Sequence, residues 1–263
     1  MNGAFQGASY FRLLGKGQRY GQSARGLAID CGEPDRPEEF PLFTDWWLGK
    51  PDRQDDRVKI FAVLDSVSCV GTYKMVIIPG ESTVLDIDAV LYFREPDKIH
   101  AVNPDRKELK SIGLAPLTSM FWIGKASERK FDDLRPEVHD SDGLLIQMDN
   151  GETLWRPLNN PKELRHQRFA AKDIRGFGLL QRERDFAAYQ DLFNFYHLTP
   201  SVWVEPHATG APAKSISSNF PRTTKVSTTW LPTGIQRPSP SRCRRIASAT
   251  RSIGRVKPTG SCR

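Results

Sequence analysis

Between Val58 and Phe93 the chain repeats its apolar residues with a period of two. Val58 to Leu64 (VKIFAVL) and Tyr73 to Ile78 (YKMVII) flank a short polar connection, and Ser82 to Phe93 alternates cleanly. In that last run Leu85, Ile87, Ala89, Leu91 and Phe93 point one way, Asp86 and Asp88 the other. A helix, which repeats every 3.6 residues, cannot keep such a set on one face; a half-buried strand can. Asp86 and Asp88 are therefore expected to face solvent.

The same pattern continues elsewhere. Ser111 to Gly124 (SIGLAPLTSMFWIG) reads as strand, turn, strand. Arg168 to Ala170, Phe177 to Gln181 and Ser201 to Glu205 read as short strands. Cys31 to Asp56, with Pro34, Pro37, Pro41 and Pro51, reads as a loop that Phe43, Trp46 and Trp47 anchor on the core, and residues 94–110 as a charged loop. Only Asp185 to His197 has helix-like composition. Many short strands separated by Gly, Pro and Asn turns indicate an all-β sandwich or barrel.

Leu134 to Pro161 concentrates the chemistry. Arg135, Glu137, His139, Asp140 and Asp142 fall within eight residues, ahead of the apolar run Leu144-Leu145-Ile146. The turn Asp149-Asn150-Gly151 then leads to Trp155-Arg156, and Asn-Gly between two such runs is a hairpin signal. A carboxylate beside an Arg, a His and a Trp can serve a sugar: the ring stacks on the apolar face, charged groups bind hydroxyls, and one carboxylate moves a proton. The competing reading is a polar loop whose charges pair with one another. Asp140 would then cap the turn, and Trp155 would simply be buried. Glu137 and Asp142 either bind hydroxyls or pair with Arg135 and Arg156, and His139 is expected to partner a neighbouring carboxylate. Tyr10 and Arg12, in a Gly-, Arg- and aromatic-rich stretch, are further candidates to line a cleft. Gly15-Lys16-Gly17 lacks the spacing of a phosphate loop.

The net charge of +7 is misleading. Residues 206–263 hold 11 of the 38 basic residues and no acidic one, leaving 27 basic against 31 acidic side chains in residues 1–205. The tail is rich in Ser, Thr, Pro and Arg, the composition of a disordered segment. Such a tail could bind nucleic acid, but the body gives no such signal and no nucleic-acid partner is expected. There is no run of 18 apolar residues to span a membrane, and the start lacks the regions of a signal peptide. Cys31, Cys69, Cys243 and Cys262 show no metal-binding spacing and are expected to be free thiols; neither metal nor cofactor is expected.

Longer strings carry a resemblance. GASYFR (Gly7 to Arg12), YGQSARGLAID (Tyr20 to Asp30), GTYKMVIIPG (Gly71 to Gly80), GLAPLTSMF (Gly113 to Phe121), RPEVHDSDGL (Arg135 to Leu144), WRPLNNP (Trp155 to Pro161) and GFGLLQRERDF (Gly176 to Phe186) occur in this order. With them the chain resembles the periplasmic glucan biosynthesis proteins G and D, which act on osmoregulated periplasmic glucans. The resemblance implies a large antiparallel β-sandwich of the galactose-mutarotase type, here partial, and a periplasmic location. It also implies β-1,2-glucan, as oligosaccharide or polysaccharide, for substrate, and an anomer-inverting endo-β-1,2-glucanase with two acidic residues and a proton relay from the attacking water to the base. The Asp of the HDS motif, here Asp140, corresponds to the base side. A non-catalytic module that holds glucan for a membrane glucan synthase is the alternative.

The departures from the family are informative. Only six residues precede GASYFR, where the family carries a longer N-terminal part, and the family's C-terminal immunoglobulin-like domain is not recognisable. The family's acidic segment, like DDEGxDNxVAxW, should follow the strand at Ser201 to Glu205, where this chain has Thr and Lys. Written CGG ACG ACG AAG GTG TCG ACA ACG TGG, Arg222 to Trp230 read from the last base of the Arg codon give Asp-Asp-Glu-Gly-Val-Asp-Asn-Val. The expectation is a glucan-processing domain over 1–205 and a disordered or out-of-frame tail over 206–263.

Overall fold

The computed structural model describes residues 3–50, 54–105, 109–127, 132–163, 165–171, 174–206, 213–219, 225–232 and 246–248. Pro51, Cys243, Cys262 and most of the tail lie outside them. The strands are β1 Gly3–Phe5, β2 Tyr10–Leu13, β3 Ser23–Arg25, β4 Leu27–Ile29, β5 Leu42–Leu48, β6 Val58–Asp65, β7 Cys69–Ile78, β8 Val84–Phe93 and β9 Ile112–Ile123. They continue with β10 Val138–His139, β11 Gly143–Met148, β12 Thr153–Pro157, β13 Arg165–Ala171, β14 Ile174–Leu180, β15 Val202–Val204, β16 Ala213–Asn219, β17 Lys225–Pro232 and β18 Ile246–Ser248. Two short helices, α1 Pro96–Val102 and α2 Phe186–Tyr189, and a 3-10 turn at Tyr196–Leu198 complete the described elements.

The strands form three antiparallel sheets. One runs β1-β2-β3-β9-β17-β16-β13, with β4 and β10 also on β9; the others run β12-β11-β14-β15 and β18-β8-β7-β6-β5. One continuous core joins them: Phe11, Ala24, Leu27 and Leu117 of the first sheet pack with Leu144, Ile146, Phe177 and Leu179 of the second and with Ile60, Met75, Leu85 and Ile87 of the third. The fold is thus an all-β antiparallel sandwich. The period-two reading of β8 holds, with Leu85, Ile87, Ala89 and Leu91 buried and Asp88 exposed. The hairpin turns where Asn-Gly stands, Gln147 pairing with Thr153, and Gly151 takes φ +92°, a conformation open to glycine.

Four sequence expectations need correction. Ser111 to Gly124 is one strand. Its apparent turn is a kink at Ala115 (φ 49°) that lets β4 pair before it, at Leu114, and β3 after it, at Leu117. The loop Cys31 to Asp56 contains β5, because its one proline-free apolar stretch pairs with β6. Phe43 is half-buried against Tyr73 (5.2 Å), while Trp46, though in contact with Phe5 (4.9 Å), and Trp47 are both exposed. The charged loop 94–110 holds α1, started by Pro96 and anchored by buried Ile99. Asp185 to His197 is not one helix. Asp191 accepts hydrogen bonds from the backbone N–H of Phe193 (2.9 Å) and Asn194 (2.7 Å), a side-chain turn that competes with the helical ladder.

Among the described residues of 206–263 are three strands, β16, β17 and β18. β17 pairs with β9 from Lys225 opposite Met120 to Trp230 opposite Leu114, and β16 bridges β17 to β13. Val226, Thr228, Thr229 and Trp230 of β17 are residue types favoured in strands. Cys31 and Cys69 are thiols, as expected, and burial pushes that of Cys69 up to about 12.

Leu117 is fully buried where the three sheets meet. Leu117→Ala should lower the unfolding free energy by about 2 to 5 kcal/mol, whereas Asp88→Asn on the exposed face should change it by less than about 0.5 kcal/mol. Urea denaturation of both variants beside the parent checks the contrast.

Candidate active site

The site forms where the chain crosses from the first sheet to the second. β10 is only two residues long and pairs with the end of β9, Val138 opposite Ile123 and His139 opposite Phe121. Asp140 closes this contact: its N–H donates to the Met120 carbonyl (2.8 Å), and its carboxylate accepts from the Met120 N–H (3.3 Å). Ser141 then meets Ser119, hydroxyl to hydroxyl at 2.6 Å. One residue later the Asp142 N–H donates to the Leu180 carbonyl (2.8 Å), and the chain has joined β14.

His139 is the fixed point beneath this crossing. Its ring is fully buried, stacked on Phe121 (5.4 Å) and set edge-on to Tyr189 (5.3 Å). Gln181, also buried, donates its amide to the carbonyls of His139 (2.9 Å) and Tyr196 (3.1 Å), which turns its oxygen toward His139 Nδ1 (2.8 Å). That arrangement makes Nδ1 a donor to the Gln181 oxygen. Nε2 then faces Glu137 (2.9 Å) and Asp142 (3.8 Å). Glu137, His139 and Asp142 bring one ligand atom each within 4.8 Å of one another, a set that could take a divalent cation. Lys125 already supplies positive charge there: it lies 4.0 Å from Glu137 and pairs with Glu183, whose carboxyl it holds down at about 2.

Asp140 contrasts with these compensated groups. Burial raises its carboxyl from 3.8 to about 6, opposed by the Met120 N–H and by the charges of Arg12 and His139. It is nonetheless only part-buried by surface area, so solvent or a ligand can reach it. A carboxylate near 6 is ionised at neutral pH yet basic enough to accept a proton. Tyr196 lies within electrostatic range; burial first, and then the charge of Asp140, push its phenol up to about 12.

The other sequence candidates divide into two groups. Tyr10 and Arg12 lie on β2, Arg12 donating Nε to the Gly21 carbonyl (3.1 Å) and Tyr10 stacked under Arg25 (4.8 Å). Arg135 is braced between Asp133 (2.8 Å) and Asp191 (2.5 Å), and electrostatically its charge reaches Tyr196. Trp155 and Arg156 lie on β12. Trp155 packs under Arg182 (5.1 Å), whose N–H bonds to Asp142, so it touches the cluster at one remove, while Arg156 turns away to Phe169 (5.1 Å). Gln181, Tyr189 and Tyr196 were not legible as site residues. They sit in stretches that read as strand and helix, and only the tertiary fold brings them to His139.

Residues 2–211 match the family described as periplasmic glucan biosynthesis protein, MdoG. The chain belongs to that family. It is similar to glucans biosynthesis protein G of Vibrio cholerae serotype O1, 47% identical over 222 residues that make up 84% of this chain and 38% of that protein. The protein of the same name from Pseudomonas paraeruginosa is 48% identical (77% of this chain, 36% of the relative), and that from Bradyrhizobium diazoefficiens 49% identical (77% and 38%). The chain therefore spans less than two-fifths of the length of these relatives. Among solved structures, the GH36 α-galactosidase AgaA from Geobacillus stearothermophilus aligns over 78% of this chain and 26% of its own at TM-score 0.35 and 8% identity, a likeness too slight to carry an argument.

The raised carboxyl of Asp140 has a stability consequence. The folded state disfavours its ionised form, so stability is lost as pH rises from about 4 to about 6 and stays lost above. Asp140→Asn removes this penalty while keeping an acceptor for Met120. It should stabilise the protein by about 1 to 3 kcal/mol at neutral pH, with the gain fading below about pH 4. Thermal melts of the two proteins at both pH values measure it.

Proposed function

We propose that this chain is the glucan-processing sandwich of a periplasmic protein acting on β-1,2-glucan, with Asp140 as the general base of an inverting endo-β-1,2-glucanase. The observation that carries this reading is the carboxyl of Asp140, raised to about 6 and only part-buried, beside Arg12 and Tyr196. An inverting glycosidase needs a base to activate water and an acid to protonate the leaving oxygen. Asp140 takes the water's proton, and the Tyr196 hydroxyl is suited to relay it. Arg12 favours the ionised base. Glu137, His139 and Asp142 fix the backbone that aims it. Tyr10, Arg135, Trp155 and Arg156 are the hydroxyl-binding and stacking candidates.

The acid is missing from this chain, since no Asp or Glu follows Glu205. β17 pairs with β9 in this region, its Lys225 opposite Met120, the residue bonded to Asp140. The shifted reading of Arg222 to Trp230 would put Asp-Asp-Glu-Gly-Val-Asp-Asn-Val in the segment that includes β17. We therefore treat residues 206–263 as an out-of-frame segment and 1–205 as the functional unit. Loss of a positioned acid costs about 10² to 10⁴ in rate, so the chain as written should have little or no glucanase activity.

The test assays linear β-1,2-glucan with this chain and with the intact, frame-restored protein, following new reducing ends and the anomer released by NMR. The restored protein should cleave with inversion, and Asp140→Asn should abolish cleavage while sparing glucan binding. Binding without any cleavage would instead favour a module that holds glucan for a membrane glucan synthase. Full activity in Asp140→Asn would remove the base assignment.

A further inference from the structure

Two large apolar side chains stand in solvent on the segment that backs the site: Leu192 is 76% and Phe193 90% exposed. Exposed apolar residues are unremarkable when scattered singly, but adjacent ones on a fixed turn are not. Here the turn is built from below. Asp191, itself buried, accepts from the N–H of Phe193 and Asn194, from the Asn194 side chain (3.3 Å) and from Arg135 (2.5 Å). These donors together hold the Asp191 carboxyl below its usual range although burial alone would raise it. Arg135 is gripped in turn by Asp133 through two contacts of 3.0 and 2.8 Å, and Leu134 on that neighbouring turn is 93% exposed. The backbone of the turn bearing Phe193 is thus braced before any ligand arrives, which lowers the entropic cost of binding.

The tip belongs to the same wall as Asp140. The Glu137 N–H donates to the Ala188 carbonyl (2.9 Å), Tyr189 packs on His139, and the rings of Tyr189 and Tyr196 lie 5.9 Å apart. The Tyr196 phenol senses the charges of Asp140, Asp191, Arg135 and Asp133 together. In the polar rim one guanidinium is shared by two carboxylates, which leaves a net charge of −1 and hydrogen-bonding groups already drawn into ion pairs. An exposed aromatic ring beside a weakly negative rim suits a neutral polyhydroxylated ring better than an anion.

We propose that Phe193, flanked by Leu192, is a stacking platform for a glucose unit of the glucan chain distant from the Asp140 reaction centre, so that it selects long chains over short ones. The proposal rests on the glucan reading above. It is tested on the whole chain by calorimetric titration with linear β-1,2-glucan of about four and about twenty units. Phe193→Ala should weaken the long glucan about five- to thirty-fold and leave the short one unchanged, and Phe193→Trp should restore long-chain affinity. Because the side chain is exposed, the melting temperature should not move, which separates lost stacking from lost folding. If the parent binds both glucans and Phe193→Ala binds both equally, the platform is refuted while the glucan reading stands. If the parent binds neither glucan, both fall. An unchanged affinity with reduced self-association would assign the tip to packing against polypeptide and overturn the proposal.

Discussion

A buried imidazole with both nitrogens hydrogen-bonded holds the functional half of this molecule together. Leaving one polar atom of such a ring unsatisfied costs about 1 to 3 kcal/mol, so His139 has few places to go. It fits where Gln181 and Glu137 meet it from opposite sides and Phe121 and Tyr189 sandwich it. Those partners come from β9, from the end of β14 and from α2, so the ring ties three separate parts of the chain to one point. Asp140 is the next residue, and its direction is set by that anchoring as much as by its own bonds to Met120.

The same crossing explains why neighbouring carboxylates behave differently. Glu183 is exposed to Lys125 and to backbone donors and stays strongly acidic. Asp140 lies a few residues from Glu137 and Asp142 in sequence, but one long backbone hydrogen bond and the charges of Arg12 and His139 do not offset its burial, so desolvation dominates. Environment, and not residue type, separates a group that balances charge from one able to move a proton.

The sequence made the sandwich legible wherever one face of a strand is buried and the other wet, as in β6 to β8 and the Asn-Gly hairpin, because alternation then reports burial directly. It was less informative in β9, where both faces are covered and a left-handed residue at Ala115 mimics a turn, and in β5, whose neighbouring prolines outweighed its own apolar residues. Within the site, the acidic cluster and Asp140 could be found because they are contiguous. Gln181 reaches His139 from 42 positions away by number, Tyr196 meets Gln181 and Tyr189 behind it, and no spacing rule reports such contacts. The helix expected at Asp185 to His197 failed because one side chain, Asp191, took over backbone donors that composition assigns to a ladder.

β5 ends the third sheet and, among the described residues, pairs along its length only with β6. It carries Trp47, 55% exposed, and Leu48, 73% exposed, next to an outward-facing Phe61 on β6. A strand with one row of backbone donors and acceptors unclaimed and an oily flank has no built-in stop against further strands. In a dilute solution that margin is silent. As concentration rises, it is the seam along which copies of this chain can zip together, and neither a charge nor a proline within Leu42–Leu48 beyond the lone Asp45 stands in the way.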